Sequence, residues 1–266
     1  MGNPGAAFAR GADREFVRQN FTMKPGDILA RFAVVLSHPS HPANIGAAAR
    51  AMKTMGIARL DLVAPRRFPH SEARALAAGA ADVLERTRVH ASLDSAIADC
   101  VLAVGFSSRP RDLSHRARAL REAAPELVAA AIAGPVALVF GNETYGLTNE
   151  ELGRCQRLVT IPANPDYPSL NVASAVQIAT YELAIAAEAF GVAPEPPRAL
   201  ATSRDLEALY AHLEVAMTAS GYLDPARPGR LMQRLRRFLA RAGPEHEEVK
   251  VLRGMLAAFE KPKRRR

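Results

Sequence analysis

The chain has 266 residues, enough for one large domain or one domain with a small appendage. Its apolar content of 48%, with no tryptophan and 6% aromatics, describes a core packed from Ala, Leu, Val and Ile, and no apolar run approaches the roughly 20 residues that a membrane helix needs, which excludes such a span. The net charge of +8 is uneven: from Arg198 onward 15 Lys/Arg face 8 Asp/Glu, whereas residues 1–197 hold 20 against 19, so the last quarter suits a polyanion, nucleic acid first, or else a solvated basic surface.

Residues 1–30 mix Gly, Pro, Asn and scattered charge, and read as a mobile extension with one short helix around 14–20. They lack the apolar stretch of a secretory signal. From Arg31 the pattern changes. The run 32–36 reads as a buried parallel strand, followed by a Pro-rich loop 38–42. Asn44 is the expected cap of a helix over 45–55, with Gly56 as its stop. A strand at 60–64, a helix at 71–81, and a helix capped by Ser92 and running to 99 follow. The run 101–105 is the next strand, 121–133 a helix and 136–140 a further strand. Thr148 and Glu151 have capping-box spacing at a helix start, 158–161 is a fifth strand, and a long helix covers about 170–190. Alternating strands and helices over 31–190 mean an α/β domain with a mostly parallel sheet. The two cysteines, Cys100 and Cys155, fall within it without a CxxC spacing and are expected to stay reduced, with no metal implied; the cytoplasm is the default compartment.

Residues 191–202 form a Pro-rich linker. A small all-helical domain over 203–260 follows, with one helix at 203–220, a second opened by Pro228 and a third opened by Pro244. In the second, Leu231, Leu235, Phe238 and Leu239 share an apolar face, and Arg230, Arg234, Arg237 and Arg241 form a basic one. Those four arginines are the candidate RNA-backbone contacts, with a dimer surface or a solvated face as the alternative. The third helix has an apolar stripe of Val249, Leu252, Leu256 and Phe259, and 261–266 is a basic, disordered tail.

Three segments stand where strands hand over to helices, which is where an open α/β sheet places a ligand. In the first, Asn44-Ile45-Gly46, the glycine permits close backbone approach, and Arg50 lies six residues after Asn44 on the same broad helix side, within reach of a phosphate or hydroxyl. In the second, Gly141 and Gly146 bracket Asn142-Glu143-Thr144-Tyr145, as suits a sharply folded loop pointing Glu143 into a crevice, or a plain surface turn. The third, 162–171, is stiffened by Pro162, Pro165 and Pro168 and ends in Ser169 and Asn171. It reads as a wall for an adenine-like ring, or as ordinary capping by Ser169.

Together these segments resemble the signature motifs of the SPOUT class of RNA methyltransferases, and within it the TrmH/TrmJ group of ribose 2′-O-methyltransferases. The likeness runs from about Phe32 to Phe190. The strings Ala47-Ala48-Ala49-Arg50-Ala51-Met52-Lys53-Thr54-Met55-Gly56 and Gly146-Leu147-Thr148-Asn149-Glu150-Glu151-Leu152 look like the TrmJ branch, as does Leu252-Arg253-Gly254-Met255-Leu256 after the basic helix. The resemblance implies an α/β sheet with a C-terminal trefoil knot. It implies S-adenosylmethionine bound by Phe106, Ser107, Ser108, Gly141, Ile161, Pro168, Ser169 and Leu170. It implies Arg50 as the catalytic arginine, with Asn44, Glu143, Ser169 and Asn171 as the other polar site residues. It further implies a homodimer with each active site completed across the subunit interface, and tRNA as substrate, methylated on the ribose of nucleotide 32 in the anticodon loop. Members often carry Thr where this chain has Phe106, so a ring replaces a hydroxyl there while backbone contacts survive. A ribosomal RNA 2′-O-methyltransferase and a non-catalytic RNA-binding protein of the same fold remain alternatives.

Overall fold

The computed structural model describes residues 23–107, 117–190 and 199–260. The expected helix at 14–20, Ser108, linker residues 191–198 and the tail 261–266 lie outside the described residues. Among the described residues seven strands form one sheet: β1 (Phe32–Ser37), β2 (Arg59–Val63), β3 (Arg88–His90), β4 (Leu102–Phe106), β5 (Arg118–Ala119), β6 (Val136–Phe140) and β7 (Arg157–Thr160). Their order is β3-β2-β1-β6-β4-β7-β5, and every pairing is parallel. All of β1 and β6 is buried, because a parallel sheet is covered on both faces.

Alternate residues feed two layers. Phe32, Val34 and Leu36 pack with helices α1 (Pro25–Leu29), α2 (Pro42–Thr54), α3 (Ser71–Ala77), α4 (Ala81–Glu85), α6 (Leu120–Ala133) and α8 (Val172–Ala189). Val35, Val63, Ala103 and Val139 pack with α5 (Leu93–Ile97) and α7 (Asn149–Arg154). The chain leaves β1 toward β2 on one side and returns to β4 and β6 on the other. The crevice between these branches, at the carboxyl ends of the strands, is therefore the ligand position that the topology offers.

Helices α9 (Ser203–Ala219), α10 (Leu231–Ala242) and α11 (His246–Glu260) enclose a separate core that includes Leu206, Leu209, Tyr210, Leu239 and Val249. This helical unit is fastened to the amino-terminal ends of the strands. The amides of Ser203 and Arg204 donate to the carbonyls of Cys100 and Ala98, and Arg157, which opens β7, donates to the carbonyl of Ala240 at 2.7 Å. Glu207 sits between Arg154 of α7 and Arg236 of α10, and Arg236 lies 4.3 Å over the Tyr210 ring. Among the described residues no helix is long and apolar enough to cross a membrane.

Several boundaries differ from the sequence expectation. Residues 25–29 are helical, with Ile28 and Leu29 buried, so the packed domain starts before 31. Helix α2 begins at Pro42, whose fixed φ suits a first helical turn, and Asn44 therefore sits inside that turn and not at the cap. The helix expected at 71–81 breaks at Ala78, which has a positive φ of 47°. Strands β3 and β5 are short edges, rich in Arg and His, that carry no apolar run. The linker ends inside the helical unit: Ala201 is buried and its amide donates to the carbonyl of Pro244. Helix α10 starts at Leu231, leaving Arg230 as its cap residue, and α11 starts at His246. Of the expected apolar stripe of α11, Val249 and Leu256 pack while Leu252 and Phe259 are exposed; Phe238 of α10 is exposed as well. Cys100 and Cys155 are both buried, free thiols, and burial pushes each up to about 12.

Candidate active site

Helix α2 enters without an acidic residue in its first turn, and its cap residue His41 gives no side-chain cap. The negative group that this helix end favours comes from the loop after β6. Glu143 accepts hydrogen bonds from the Ser40 amide at 2.8 Å, the His41 amide at 3.3 Å and the Asn44 side chain at 3.0 Å. Burial works to raise the Glu143 pKa, but the bonds from Asn44, Ser40 and His41 outweigh it and hold the carboxyl below its ordinary range. Asn44 in turn accepts from the Asn171 amide at 3.0 Å, and Asn171 caps α8 by accepting from the Ala173 backbone. Three junctions distant in sequence are thus joined by one chain of side-chain hydrogen bonds.

The loop 141–147 is folded as its glycines suggest. Gly146 has φ +72° and donates its amide to the Asn142 carbonyl at 2.8 Å. A Cβ on Gly141 would stand 2.1 Å from the Gly146 carbonyl carbon, so this close approach is of the loop to itself. Asn142 secures the loop to its neighbour by donating to the His38 carbonyl and the Ser40 hydroxyl, both at 2.7 Å. The capping box follows, and its Glu151 carboxylate also takes the Ser37 hydroxyl in a short hydrogen bond. Gly46 has a different role from the one expected. A Cβ there would meet the Ala73 carbonyl oxygen at 2.0 Å, so the close approach is between α2 and α3 and not toward a ligand.

Between the loops lies a cleft of about 370 Å³. Phe106 and Phe140, at the ends of β4 and β6, stack with ring centroids 4.3 Å apart and line it. Ser107, Gly141, Glu143, Ile161, Pro168, Ser169, Leu170 and Asn171 line it too, so every described residue expected to hold a cofactor is on the cleft. An apolar floor with rims of backbone and small polar groups fits the adenosyl and amino-acid parts of S-adenosylmethionine. Phe140, Asn142, Tyr145 and Tyr167 also line the cleft, beyond the site residues expected from the sequence. Asn142 and Tyr145 lie in the segment that Gly141 and Gly146 bracket, where the spacing could have marked them, whereas Tyr167 is an exposed rim residue with no pattern to mark it.

Arg50 is not on this cleft. It is exposed, and at 3.6 residues per turn it lies about 120° around α2 from Asn44, so the expected common side does not hold. Its side chain makes no hydrogen bond or ion pair to any described residue. Arg234, Arg237 and Arg241 lie along α10 with Arg230 at its cap; all four have unpaired side chains among the described residues, whereas Arg236 between them is bound to Glu207.

Residues 31–181 match the SpoU rRNA Methylase family, and residues 204–266 match the C-terminal domain of the tRNA methyltransferase TrmJ. The tRNA (cytidine/uridine-2′-O-)-methyltransferase TrmJ of Cronobacter sakazakii is 45% identical over 240 residues, spanning 88% of this chain and 97% of that one. TrmJ from Z. mobilis superposes with a TM-score of 0.75 at 33% identity, covering 86% of this chain and 99% of the other. A probable methylase family protein from Haemophilus influenzae superposes at 0.59 with 39% identity, covering 87% and 97%.

Proposed function

Because the chain belongs to the SpoU methylase family, and within it to the TrmJ branch, we propose that it methylates the ribose 2′-OH of nucleotide 32 in the tRNA anticodon loop. It is an S-adenosylmethionine-dependent tRNA ribose 2′-O-methyltransferase; its relatives carry tRNA 2′-O-methyl transfer in their name. The hydrogen-bonded series Glu143–Asn44–Asn171, which ties the first turn of α2 to the two loop junctions that line the cleft, is the observation that supports this reading of the site.

S-adenosylmethionine supplies an electrophilic methyl group when bound. Phe106 and Phe140 offer its apolar floor, and the backbone of Ser107, Gly141, Ile161, Pro168, Ser169 and Leu170 surrounds it. The Ser169 hydroxyl is exposed on the rim and orients the ribose hydroxyl. Asn171 and Asn44 hold the rim in place, since both ends of the Asn171 amide are already taken. Arg50 binds the phosphate beside the target ribose and stabilises the negative charge that develops on the 2′-oxygen. Much of the acceleration then comes from alignment.

A homodimer is part of the proposal. Tyr181 and Ile185, one turn apart on α8, are 49% and 46% exposed, and the rim from 162 to 171 is open throughout. Arg50 lies off its own chain's cleft, which supports completion of each site by the partner subunit. The knot belongs to the proposal too, supported by β7 inserted between β4 and β5 and by the two loops that close on one cleft. The enzyme works in the cytoplasm.

Mapping 2′-O-methylation on total tRNA incubated with the protein and S-adenosylmethionine tests this. New methylation confined to nucleotide 32, and lost with Arg50→Ala, is the expected result. Methylation of ribosomal fragments in its place would overturn it.

A further inference from the structure

Most arginines of the α/β domain are committed to a partner, as Arg59 and Arg88 are to the buried carboxylate of Asp61 and Arg121 is to Glu182. Among its described arginines, Arg50, Arg66 and Arg67 are the exceptions. Each is exposed, and none makes a hydrogen bond or ion pair through its side chain. Arg66 and Arg67 follow β2 at its carboxyl end, on the edge of the sheet that carries the cleft. Their loop is fixed at both sides. The Ala64 amide donates to the His90 carbonyl at 2.9 Å, and Phe68 packs on the main core. The Arg66 amide donates to the Pro39 carbonyl at 3.1 Å, one residue before Ser40, whose own amide is held by Glu143.

Two guanidinium groups with no partner among the described residues therefore sit next to the loop 38–42, which Glu143 and Asn142 of the cleft lining hold by hydrogen bonds. Charge placed so carries a cost in self-repulsion and finds no acidic side chain among the described residues to relieve it, which is the condition that an RNA phosphate satisfies. We propose that Arg66 and Arg67 are a landing site for the sugar–phosphate backbone beside the target nucleotide, separate from the basic helix α10. This rests on the assignment of RNA as substrate. The anticodon stem–loop itself contacts Arg66 and Arg67, whereas α10 holds a more distant part of the tRNA.

The test compares the full-length wild type with R66A/R67A, R66E/R67E and R66K/R67K on a synthetic anticodon stem–loop. It reads binding against salt, KM, kcat and S-adenosylmethionine affinity. R66A/R67A is expected to raise KM at least about 10-fold with little change in kcat, and to flatten the log Kd against log salt slope by about one to two contacts. R66E/R67E goes further and R66K/R67K recovers most of the loss, while thermal stability and cofactor affinity stay at wild-type values because both side chains are exposed and unpaired. Wild-type KM and an unaltered salt slope in R66E/R67E would overturn the proposal and leave the two arginines to an acidic protein partner. A wild type that binds the stem–loop without methylating any RNA would instead reject the assigned function, and the slope comparison would still decide this site.

Discussion

The side chains of Glu143 and Asn44, 99 residues apart in the chain, meet at 3.0 Å. The contact ties the loop after β6 to the first turn of α2, and the same carboxylate takes the backbone amides of Ser40 and His41. An acidic residue that looks like a catalytic group is thus already engaged as a distant cap, and its first effect is on the position of Asn44 and of everything Asn44 holds.

Glu143→Gln tests that role. The amide removes the charge facing the helix end and turns an N–H toward backbone N–H groups. A loss of ~1–2 kcal/mol is expected, seen as a Tm lowered by about 2–8 °C, together with reduced methyl transfer. Glu143 has its pKa depressed below the ordinary value of 4.5, so its contribution is present above that value and is lost as pH falls through the folded pKa. The gap between wild type and variant should be flat between about pH 6 and 8 and close in acid below about pH 4.5. A gap that persists at low pH would contradict the charged-cap role.

Two glycines separate stability from the site. A Cβ on Gly46 would reach 2.0 Å from the Ala73 carbonyl oxygen, and one on Gly141 would reach 2.2 Å from the Leu147 amide nitrogen. Gly46→Ala must push two packed helices apart and should cost about 3 kcal/mol in chemical denaturation. Gly141→Ala must open a surface loop, at about 1–2 kcal/mol, yet it should weaken S-adenosylmethionine binding at least 10-fold by calorimetry. Equal effects of the two on cofactor affinity would remove Gly141 from the cofactor wall.

Phe106 is 8% exposed and stacks on Phe140, so its ring is part of the packing as well as of the cleft floor. Phe106→Thr restores the residue type common in the family but deletes a buried ring. It should cost about 2–4 kcal/mol in unfolding free energy, while Phe106→Leu loses less. If backbone groups carry the cofactor contacts, affinity for S-adenosylmethionine should change less than 10-fold in the threonine variant.

Much of this is legible before any coordinates. Strand β6 matches the apolar run 136–140 residue for residue, since a strand covered on both faces needs no alternation to show itself. Thr148 and Glu151 announce their helix because a capping box is a local geometry. What resists reading is non-local or weakly marked. The cap on α2 comes from Glu143, and nothing near Pro42 signals it. Strands β3 and β5 gain their pairing from a neighbour and not from their own composition. That Arg50 stands about 120° around α2 from Asn44 follows from their six-residue spacing once both lie inside the helix, and the start at Pro42, three residues before the expected Ile45, is what puts Asn44 there.

The basic face of α10 gives the last prediction. Its helical unit is docked at the amino-terminal ends of β4 and β7 through Cys100 and Arg157, whereas the cleft opens at the carboxyl ends. A strand of five residues separates those edges by about 17 Å, so α10 cannot touch the nucleotide in its own chain's cleft and must hold the RNA at a distance. Arg234→Glu with Arg237→Glu is therefore expected to raise Kd for full-length tRNA at least 10-fold and to reduce the salt slope by about two contacts. Turnover at saturating tRNA should stay near wild type, because the groups around the ribose are untouched. Arg241 is left out of the pair because it also lines the gap between the helical unit and the sheet, where substitution disturbs packing. A short anticodon stem–loop should be bound almost as well by this variant as by wild type. Equal losses on the stem–loop and the whole tRNA would place α10 beside the target nucleotide, which requires the partner subunit to bring it there.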